Sequence, residues 1–357
     1  MDLHGGNIKE AARRYKLDGK DIMDFSASIN PLGFPRSLKK IISDNIAAIA
    51  RYPDPDCSDL RGRLAEYLNT SENNLLAGNG SIELIYLITL ALKPGRALIV
   101  CPTFSEYERA VLSAGGKCLF LKSAQDRGFK TEHGKILKNL GRVNLVFICN
   151  PNNPTGYLLD KKTIIALAGE CEKKGVFLVV DEVFMDFVEE KEKASVLEFA
   201  INSKYVMALR SLTKFFAISA LRLGVLVAGE ELIRKILPYQ YPWSVNSFAQ
   251  LAGCTLMKEK VFIRNSREYV FKQRKALLCN LSRIKYIRPY PASANFIFCR
   301  ILNKKINSAR LSDYCGRKGI IIRDCSNFRG LDGTFVRIAV RKKEENAKLI
   351  KVLKELE

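Results

Sequence analysis

The chain has 357 residues, of which 47% are hydrophobic and 27% are charged, a composition typical of a globular protein. It is too long for a peptide-sized protein and too rich in apolar residues for wholesale disorder. Its net charge of +21 would suit an anionic partner. However, the basic residues are spread along the whole chain, and no helix-turn-helix or aromatic-rich RNA motif is present. We therefore predict neither a nucleic-acid nor a membrane partner, and attribute the charge mainly to a solvated surface that helps to attract anionic ligands.

The cysteines and histidines predict a protein without disulfides or a structural metal. The ten cysteines are scattered, several within apolar segments, and none form a Cys-x-x-Cys pair, which favours reduced thiols. With only two histidines, a zinc cluster has almost no ligands. The first residues lack the apolar core of a signal peptide, and no apolar stretch is long enough to span a membrane. We expect a cytoplasmic protein.

Short apolar strands alternate with amphipathic helices over most of the chain, which predicts an α/β fold whose largely parallel sheet is covered on both faces. The predicted strands are residues 96–101, 117–121, 144–149, 176–180, 205–209 and 223–228, and the helices between them include 81–92, 105–114 and 161–174. We expect one large domain over residues 47–245. After the proline- and aromatic-rich stretch 238–243, a long basic helix and strands at 294–299, 320–322 and 334–340 predict a smaller α+β domain over 246–357.

Two loops at strand or helix ends carry specific patterns. Residues 78–83 form a glycine turn that opens an apolar helix, where free backbone N–H groups would bind a phosphate, although an ordinary capped helix has the same pattern. Residues 150–156 read Asn-Pro-Asn-Asn-Pro-Thr-Gly directly after a predicted strand. Asparagine and proline favour turns, but this string is more specific than a turn requires.

Two later segments add charged groups at strand ends, where open α/β sheets place their ligand sites. The buried strand 176–180 is followed by Asp181 and Glu182, whose carboxylates need a cation or hydrogen-bond donors. Magnesium sites and helix caps share that pattern. The segment 211–214 places Lys214 among hydroxyl residues, with Arg222 eight residues later. This pattern suits an anionic cofactor held beside an amine, although a lysine on the protein surface could have the same sequence pattern.

Taken together, in this order and spacing, the four segments resemble the fold type I pyridoxal-phosphate enzymes of the class I and II aminotransferase superfamily. The resemblance covers practically the whole chain. It implies a three-layer large domain that binds pyridoxal 5'-phosphate and a small domain built from both termini, with residues 1–46 joining residues 246–357.

The resemblance also implies residue roles. Lys214 forms the imine with the cofactor aldehyde, Asp181 pairs with the ring nitrogen, and Asn153 hydrogen-bonds the ring hydroxyl. The cofactor phosphate is bound by Ser81, Ile82, Ser211, Thr213 and Arg222. Phe104 covers the ring, and Tyr52 is donated to the neighbouring subunit, which predicts a homodimer. Because the lysine must be uncharged to react, we expect burial and the Arg222 cation to lower its pKa.

Within the superfamily, aminotransferases acting on histidinol phosphate form the nearest broad group. Four segments, 4–7, 24–33, 242–246 and 323–328, are more similar to the decarboxylases that act on L-threonine O-phosphate and supply aminopropanol phosphate for cobalamin assembly. Phe184 also stands where the aminotransferases usually have tyrosine. By this resemblance, Arg337 binds the substrate carboxylate, and Arg323, His4 and Asn30 bind the substrate phosphate.

Three alternatives stay open at this point: a 2-oxoglutarate-dependent histidinol-phosphate aminotransferase, an L-serine O-phosphate decarboxylase, and a non-catalytic regulator that binds pyridoxal phosphate. One departure from the family pattern concerns the cofactor phosphate. Ser219 and Ala220 replace the usual Pro-Gly, and Ala220 would displace Arg222 if its position required a positive φ.

Overall fold

The computed structural model describes residues 5–357 and confirms the α/β fold. The strands are β1 (Met23–Asp24), β2 (Leu75–Asn79), β3 (Arg96–Cys101), β4 (Lys117–Lys122), β5 (Leu145–Cys149), β6 (Phe177–Asp181), β7 (Val206–Ser211), β8 (Leu223–Val227), β9 (Ile287–Pro289), β10 (Phe296–Ile301), β11 (Ile320–Ile321), β12 (Arg323–Asp324) and β13 (Phe335–Ala339). The helices are α1 (Ile8–Tyr15), α2 (Arg36–Asp44), α3 (Ser58–Leu68), α4 (Gly80–Leu92), α5 (Glu106–Ser113), α6 (His133–Leu137), α7 (Lys161–Lys173), α8 (Leu197–Ala200), α9 (Leu212–Phe215), α10 (Glu230–Ile236), α11 (Ser247–Leu256), α12 (Lys260–Ser282), α13 (Ser308–Arg317) and α14 (Lys343–Lys354).

The large sheet has the strand order β2-β8-β7-β6-β5-β3-β4 within the described residues. Strands β4, β3, β5, β6 and β7 are parallel, and β8 runs antiparallel to both of its neighbours, β7 and β2. All six strands predicted in this region are confirmed. Strand β2 was not predicted, because its Gly-Asn end has the pattern of a turn.

Apolar layers cover both faces of this sheet. Alternate residues of β5 point to opposite faces, so Phe147 packs with the cluster that includes α4, α5 and α10, whereas Val146 packs with α7 and α8. This burial on both sides explains why the central strands are continuous apolar runs. The carboxyl ends of β5, β6 and β7 therefore meet at one edge of a rigid sheet.

The C-terminal part of the chain forms an antiparallel sheet of order β12-β13-β10-β9, packed against α12, α13 and α14. The N-terminal segment joins this part of the chain, because β1 pairs in parallel with β11 in a separate two-stranded sheet. The amide of Phe25 donates to the Ile321 carbonyl, and its own carbonyl accepts from the Ala339 amide. Phe25 is completely buried in the core of this region. These contacts fix the chain that follows, residues 26–30, beside the strand edge of the large sheet.

All ten cysteines are free, as predicted, and six of them are buried. Cys279 departs from the expected burial because it lies exposed on α12. Over residues 5–357, the helices include none with the length and apolar character that a membrane crossing demands. The same part of the chain contains no cluster of three side chains suited to holding a metal ion.

Candidate active site

A cavity of about 310 Å³ lies at the carboxyl ends of the parallel strands, between the large sheet and the C-terminal sheet. Most of the side chains singled out from the sequence line it: Ser81, Ile82, Phe104, Asn153, Asp181, Ser211, Thr213, Lys214, Arg222, Arg323 and Arg337. These residues come from distant parts of the chain. Their convergence on one cavity is the arrangement that the motif spacing predicts.

Asn30 does not line this cavity, which corrects its expected role. Its side-chain amide donates to the Phe215 carbonyl at 2.7 Å and to the Ser266 hydroxyl at 2.9 Å, so it anchors the backbone around it. Ser28, two residues earlier, lines the cavity instead. The Ser28 hydroxyl is buried and has no hydrogen-bond partner within residues 5–357. Ser28 thus contributes an unpartnered hydroxyl to the lining of this cavity.

Two other predicted residues lie elsewhere. Tyr52 is 80% exposed and stacks on Trp243, with ring centroids 4.6 Å apart. Its expected contribution to a neighbouring subunit stays a prediction. His4 falls outside the described residues.

The N-terminus of α4 forms one wall of the cavity. Gly80 begins this helix with a φ of +76°, and a side chain there would collide with the Arg222 guanidinium. Glycine therefore lets Arg222 approach the helix end closely. The first N–H groups of a helix have no intrahelical acceptor, and Ser81 and Ile82 stand at that end. The helix terminus and the guanidinium together supply the groups that an anion site needs, and we refer to them as the anion site.

The antiparallel strand β8 completes this anion site. Gly224 pairs with Ser211 on one side and with Gly78 on the other. A Cβ atom at Gly224 would collide with the backbone nitrogen of Ser81, so only glycine allows α4 to start here. On the β7 side, the hydroxyls of Ser211 and Thr213 lie 2.6 Å apart and both are buried. Strand β8 thus brings two hydroxyl groups to the helix terminus.

The replacement of Pro-Gly by Ser219 and Ala220 does not displace the arginine. The positive φ angles in this loop occur at Ala217 (53°) and Arg222 (60°), not at Ala220. A methyl group at Ala220 is therefore accommodated without backbone strain. Arg222 donates to the Ser219 carbonyl at 3.2 Å and still lines the cavity.

Lys214 follows β7 and carries a strongly perturbed amine. Burial lowers the pKa of Lys214 from 10.5 to about 8, and the cations of Arg337 and Arg222 act in the same direction. The Asp24 carboxylate opposes this decrease. The prediction that burial and Arg222 lower this pKa is confirmed, and Arg337 is an additional cause. A lysine poised in this way supplies the neutral amine that a reaction with an aldehyde needs.

Asp181 ends β6 and is 4% exposed. Its carboxylate accepts hydrogen bonds from the Tyr107 hydroxyl at 2.5 Å and from the Val183 amide at 3.0 Å. Burial raises the pKa of the Asp181 carboxyl, and these two donors oppose the increase. Tyr107 was not predicted from the sequence, because it belongs to none of the motifs and its contact with Asp181 joins α5 to a strand 74 residues away.

Arg337 on β13 connects three segments of the chain. Its guanidinium donates to the Asn153 side-chain oxygen at 2.5 Å and to the Ser26 carbonyl at 2.6 Å, and it lies over the Phe296 ring. Burial lowers the pKa of Arg337 to about 10, and repulsion from Arg323 contributes. The group stays charged near neutral pH and is held in one orientation, as recognition of a carboxylate requires.

Arg323 on β12 is the register partner of Arg337 on β13. It is 7% exposed, donates to the Asn327 side chain at 2.9 Å, and lies over the Phe328 ring with 5.3 Å between guanidinium carbon and centroid. Two buried guanidinium groups therefore stand side by side at the cavity wall. A ligand with two anionic groups matches this pair.

Comparison with known proteins identifies the class. Residues 20–353 match the family described as aminotransferase class I and II, and the chain belongs to this family. The threonine-phosphate decarboxylase of Salmonella typhimurium strain LT2 is 34% identical over 352 residues, which cover 98% of this chain and 95% of that protein.

Two solved structures extend the comparison. The histidinol-phosphate aminotransferase from Clostridium acetobutylicum superposes with a TM-score of 0.86 at 31% identity, covering 93% of this chain and 98% of that one. The L-threonine-O-3-phosphate decarboxylase from Porphyromonas gingivalis superposes with a TM-score of 0.83 at 27% identity, with the same coverage of 93% and 98%. The resemblance to fold type I enzymes that use pyridoxal phosphate is confirmed.

The perturbed amine generates a prediction about pH. We expect neutral Lys214 to be the group that bonds the cofactor, so the rate at which the cofactor-free protein takes up pyridoxal phosphate should rise with pH to a midpoint near the Lys214 pKa of about 8. Arg337→Met removes a repelling cation and should move this midpoint upward. Stopped-flow absorbance across a pH series measures it. The exposed Arg317 offers the control Arg317→Met, whose midpoint should equal that of the wild type. An unchanged midpoint in Arg337→Met would contradict the electrostatic explanation.

Proposed function

We propose that the protein is a pyridoxal-phosphate-dependent decarboxylase that converts L-threonine O-phosphate into (R)-1-aminopropan-2-ol phosphate, a precursor for cobalamin assembly. The observation that carries the proposal is the pair of buried guanidinium groups, Arg323 and Arg337, in one cavity with the perturbed amine of Lys214. The substrate carries a carboxylate, a phosphate and an amine. Two fixed guanidinium groups suit the two anions.

The donor set fits pyridoxal phosphate. The anion site at the start of α4 and the hydroxyls beside it would hold the phosphate through Ser81, Ile82, Ser211, Thr213 and Arg222. Asp181 would hold the ring nitrogen, Asn153 the ring hydroxyl and Lys214 the aldehyde carbon, with Phe104 against the ring. When bound, the cofactor supplies an electron-withdrawing ring that stabilises the electron pair left at Cα as carbon dioxide departs.

In this proposal, Arg337 and Arg323 bind different anionic groups of the substrate. Arg337 binds the carboxylate in a fixed orientation, and Arg323, assisted by the unpartnered hydroxyl of Ser28, binds the phosphate. The lowered pKa of Lys214 lets its Nζ atom accept and return a proton near neutral pH. In this proposal the two arginines and Ser28 thus orient the substrate, and Nζ of Lys214 carries the proton that is added to Cα after carbon dioxide leaves.

Sequence similarity to the Salmonella decarboxylase and structural similarity to the Porphyromonas decarboxylase support this reaction. Phe184 adds to that support, because it lines the cavity at the position where the aminotransferases of the superfamily usually carry tyrosine. Its ring packs edge-on against Phe296, with centroids 5.0 Å apart. The cavity thus lacks a phenol at this position.

A second candidate function is transamination of histidinol phosphate with 2-oxoglutarate, which similarity to the Clostridium aminotransferase favours. The products separate the two candidates. Purified protein with pyridoxal phosphate should release carbon dioxide and aminopropanol phosphate from L-threonine O-phosphate, identified by mass spectrometry. Formation of glutamate from histidinol phosphate and 2-oxoglutarate, without that release, would establish the transferase instead.

Substitution of the phosphate-binding arginine tests the substrate assignment. Arg323→Gln should lower kcat/KM for L-threonine O-phosphate by roughly 10- to 100-fold, mainly through KM, because it removes a charge-assisted contact. The visible absorbance of the lysine-bound cofactor should not change. Arg317→Gln removes an exposed arginine of the same region and should leave the kinetics as in the wild type. A loss confined to kcat in Arg323→Gln would argue against phosphate binding.

We also propose that the enzyme is a cytoplasmic homodimer whose other partners are small molecules. The free cysteines are typical of a reducing compartment. The stacked pair Tyr52 and Trp243 is exposed, and Tyr239 and Tyr241, which lie within four residues of Trp243 in the sequence, are exposed as well. Aromatic groups of this kind are enriched in protein interfaces. Tyr52 would then reach the cofactor phosphate in the other subunit.

Mixing two inactive variants tests this arrangement. Lys214→Ala cannot bond the cofactor, and Tyr52→Ala should leave the partner's site without cofactor when the pyridoxal phosphate concentration is limiting. After unfolding and refolding together, a mixed dimer contains one site with both residues intact. Random pairing should restore about one quarter of the wild-type activity. The control mixes Lys214→Ala with wild-type-like Lys204→Ala at an exposed site, where activity should follow the fraction of intact Lys214. No recovery in the test mixture would refute donation across the interface.

A further inference from the structure

The carboxylate of Asp181 contacts a buried tyrosine that no motif indicated. Tyr107 is completely buried, and its hydroxyl donates to Oδ2 of Asp181 at 2.5 Å. The other carboxylate oxygen accepts from the Val183 amide at 3.0 Å. These two donors approach different oxygens, so they fix the carboxylate plane as well as its position.

The tyrosine itself is held rigidly. Its ring stacks on Phe147, with centroids 4.9 Å apart and planes within 8°, and it meets Phe104 edge-on at 5.7 Å. Burial raises the pKa of the Tyr107 phenol well above its ordinary value. The hydroxyl therefore keeps its proton and remains a donor. Tyr107 therefore contacts two residues of the cavity lining, Asp181 and Phe104.

The charge of Asp181 depends on few groups. Its register neighbours are Cys149 on β5 and the apolar Leu209 on β7. The Cys149 thiol is protonated, because burial and the Asp181 carboxylate raise its pKa far above 9.0. Within the described residues, the groups that oppose protonation of Asp181 are the Tyr107 hydroxyl and the Val183 amide.

We propose that Tyr107 is a positioning residue, whose hydroxyl keeps the Asp181 carboxylate charged and correctly oriented to pair with the protonated ring nitrogen of the cofactor. This inference rests on the proposed role of Asp181. A protonated Asp181 could not stabilise a positive ring, and the ring would then withdraw electrons less strongly. Tyr107 thus acts on the cofactor only through the carboxylate.

The substitution Tyr107→Phe tests the inference while it preserves both ring contacts. Without the hydroxyl, the Asp181 carboxyl should hold a proton to higher pH. The Kd for pyridoxal phosphate, measured by equilibrium dialysis, should rise about tenfold at neutral pH and more strongly as the pH is lowered. The pH at which the visible absorbance of the bound cofactor changes should shift together with the protonation of Asp181.

Tyr286→Phe is a matched control, because the buried Tyr286 hydroxyl also donates a hydrogen bond, to the Leu353 carbonyl at 2.7 Å, but far along the chain in the C-terminal region. Both variants should lower Tm, since each loses one buried hydrogen bond. Only Tyr107→Phe should change the Kd and its pH dependence. A pH-independent change in Tyr107→Phe would indicate a merely structural role and overturn the proposal.

A double-mutant cycle with Asp181→Asn separates the two levels of inference. Asp181→Asn alone should weaken cofactor binding, and adding Tyr107→Phe should then have no further effect on the Kd. If Asp181→Asn leaves the Kd unchanged, the assignment of Asp181 in the proposed function is wrong. If Asp181→Asn weakens cofactor binding but Tyr107→Phe does not, the positioning role of Tyr107 is wrong. It is also wrong if Tyr107→Phe raises the Kd by the same factor in the wild-type protein and in the Asp181→Asn variant.

Discussion

Several positively charged side chains lie together in one buried cavity, and this concentration of charge determines both the reactivity of the site and the ligands that it suits. Lys214, Arg222, Arg323 and Arg337 line the same cavity, whereas Asp181 is the one acidic side chain that residues 5–357 contribute to its lining. Burial and mutual repulsion lower the pKa of both Lys214 and Arg337. Cations in such a place are unfavourable unless anions accompany them. A cofactor phosphate, a substrate carboxylate and a substrate phosphate would supply those anions, so the same repulsion that activates the amine favours binding of anionic ligands.

The sheet is what brings these groups together, and most of it could be predicted from the sequence. The strand at residues 96–101 is found with the bounds that its apolar run indicates, because burial on both faces leaves a local pattern. Strand β2 could not be predicted in this way. It is short, it ends in glycine and asparagine, and it is a strand because it pairs with β8, which is distant in sequence. The position of Gly224 beneath the start of α4 follows from that same pairing and is equally invisible in the local pattern.

The site shows a similar division between local and tertiary information. Residues at strand ends, such as Asp181, could be placed because the strand itself defines where they lie. The segment 26–30 is different, since its direction is set by the pairing of Phe25 with two separate strands. That pairing turns Ser28 toward the cavity and Asn30 into the protein, and the motif alone does not distinguish the two. Tyr107 also escaped prediction, because its contact with Asp181 joins a helix to a distant strand.

Arg337 shows why rigid placement matters for the choice of reaction. In pyridoxal-phosphate chemistry the bond held perpendicular to the conjugated ring is the one that breaks, so orientation selects between loss of carbon dioxide and loss of a proton. The guanidinium is fixed by Asn153, by the Ser26 carbonyl and by the Phe296 ring, while its Nε atom has no hydrogen-bond partner within residues 5–357. These three contacts come from the loop after β5, the N-terminal segment and the C-terminal sheet. With Arg337 in its proposed role, the direction of the substrate carboxylate would therefore depend on all three parts of the chain at once, so their packing would contribute to the choice of the bond that breaks.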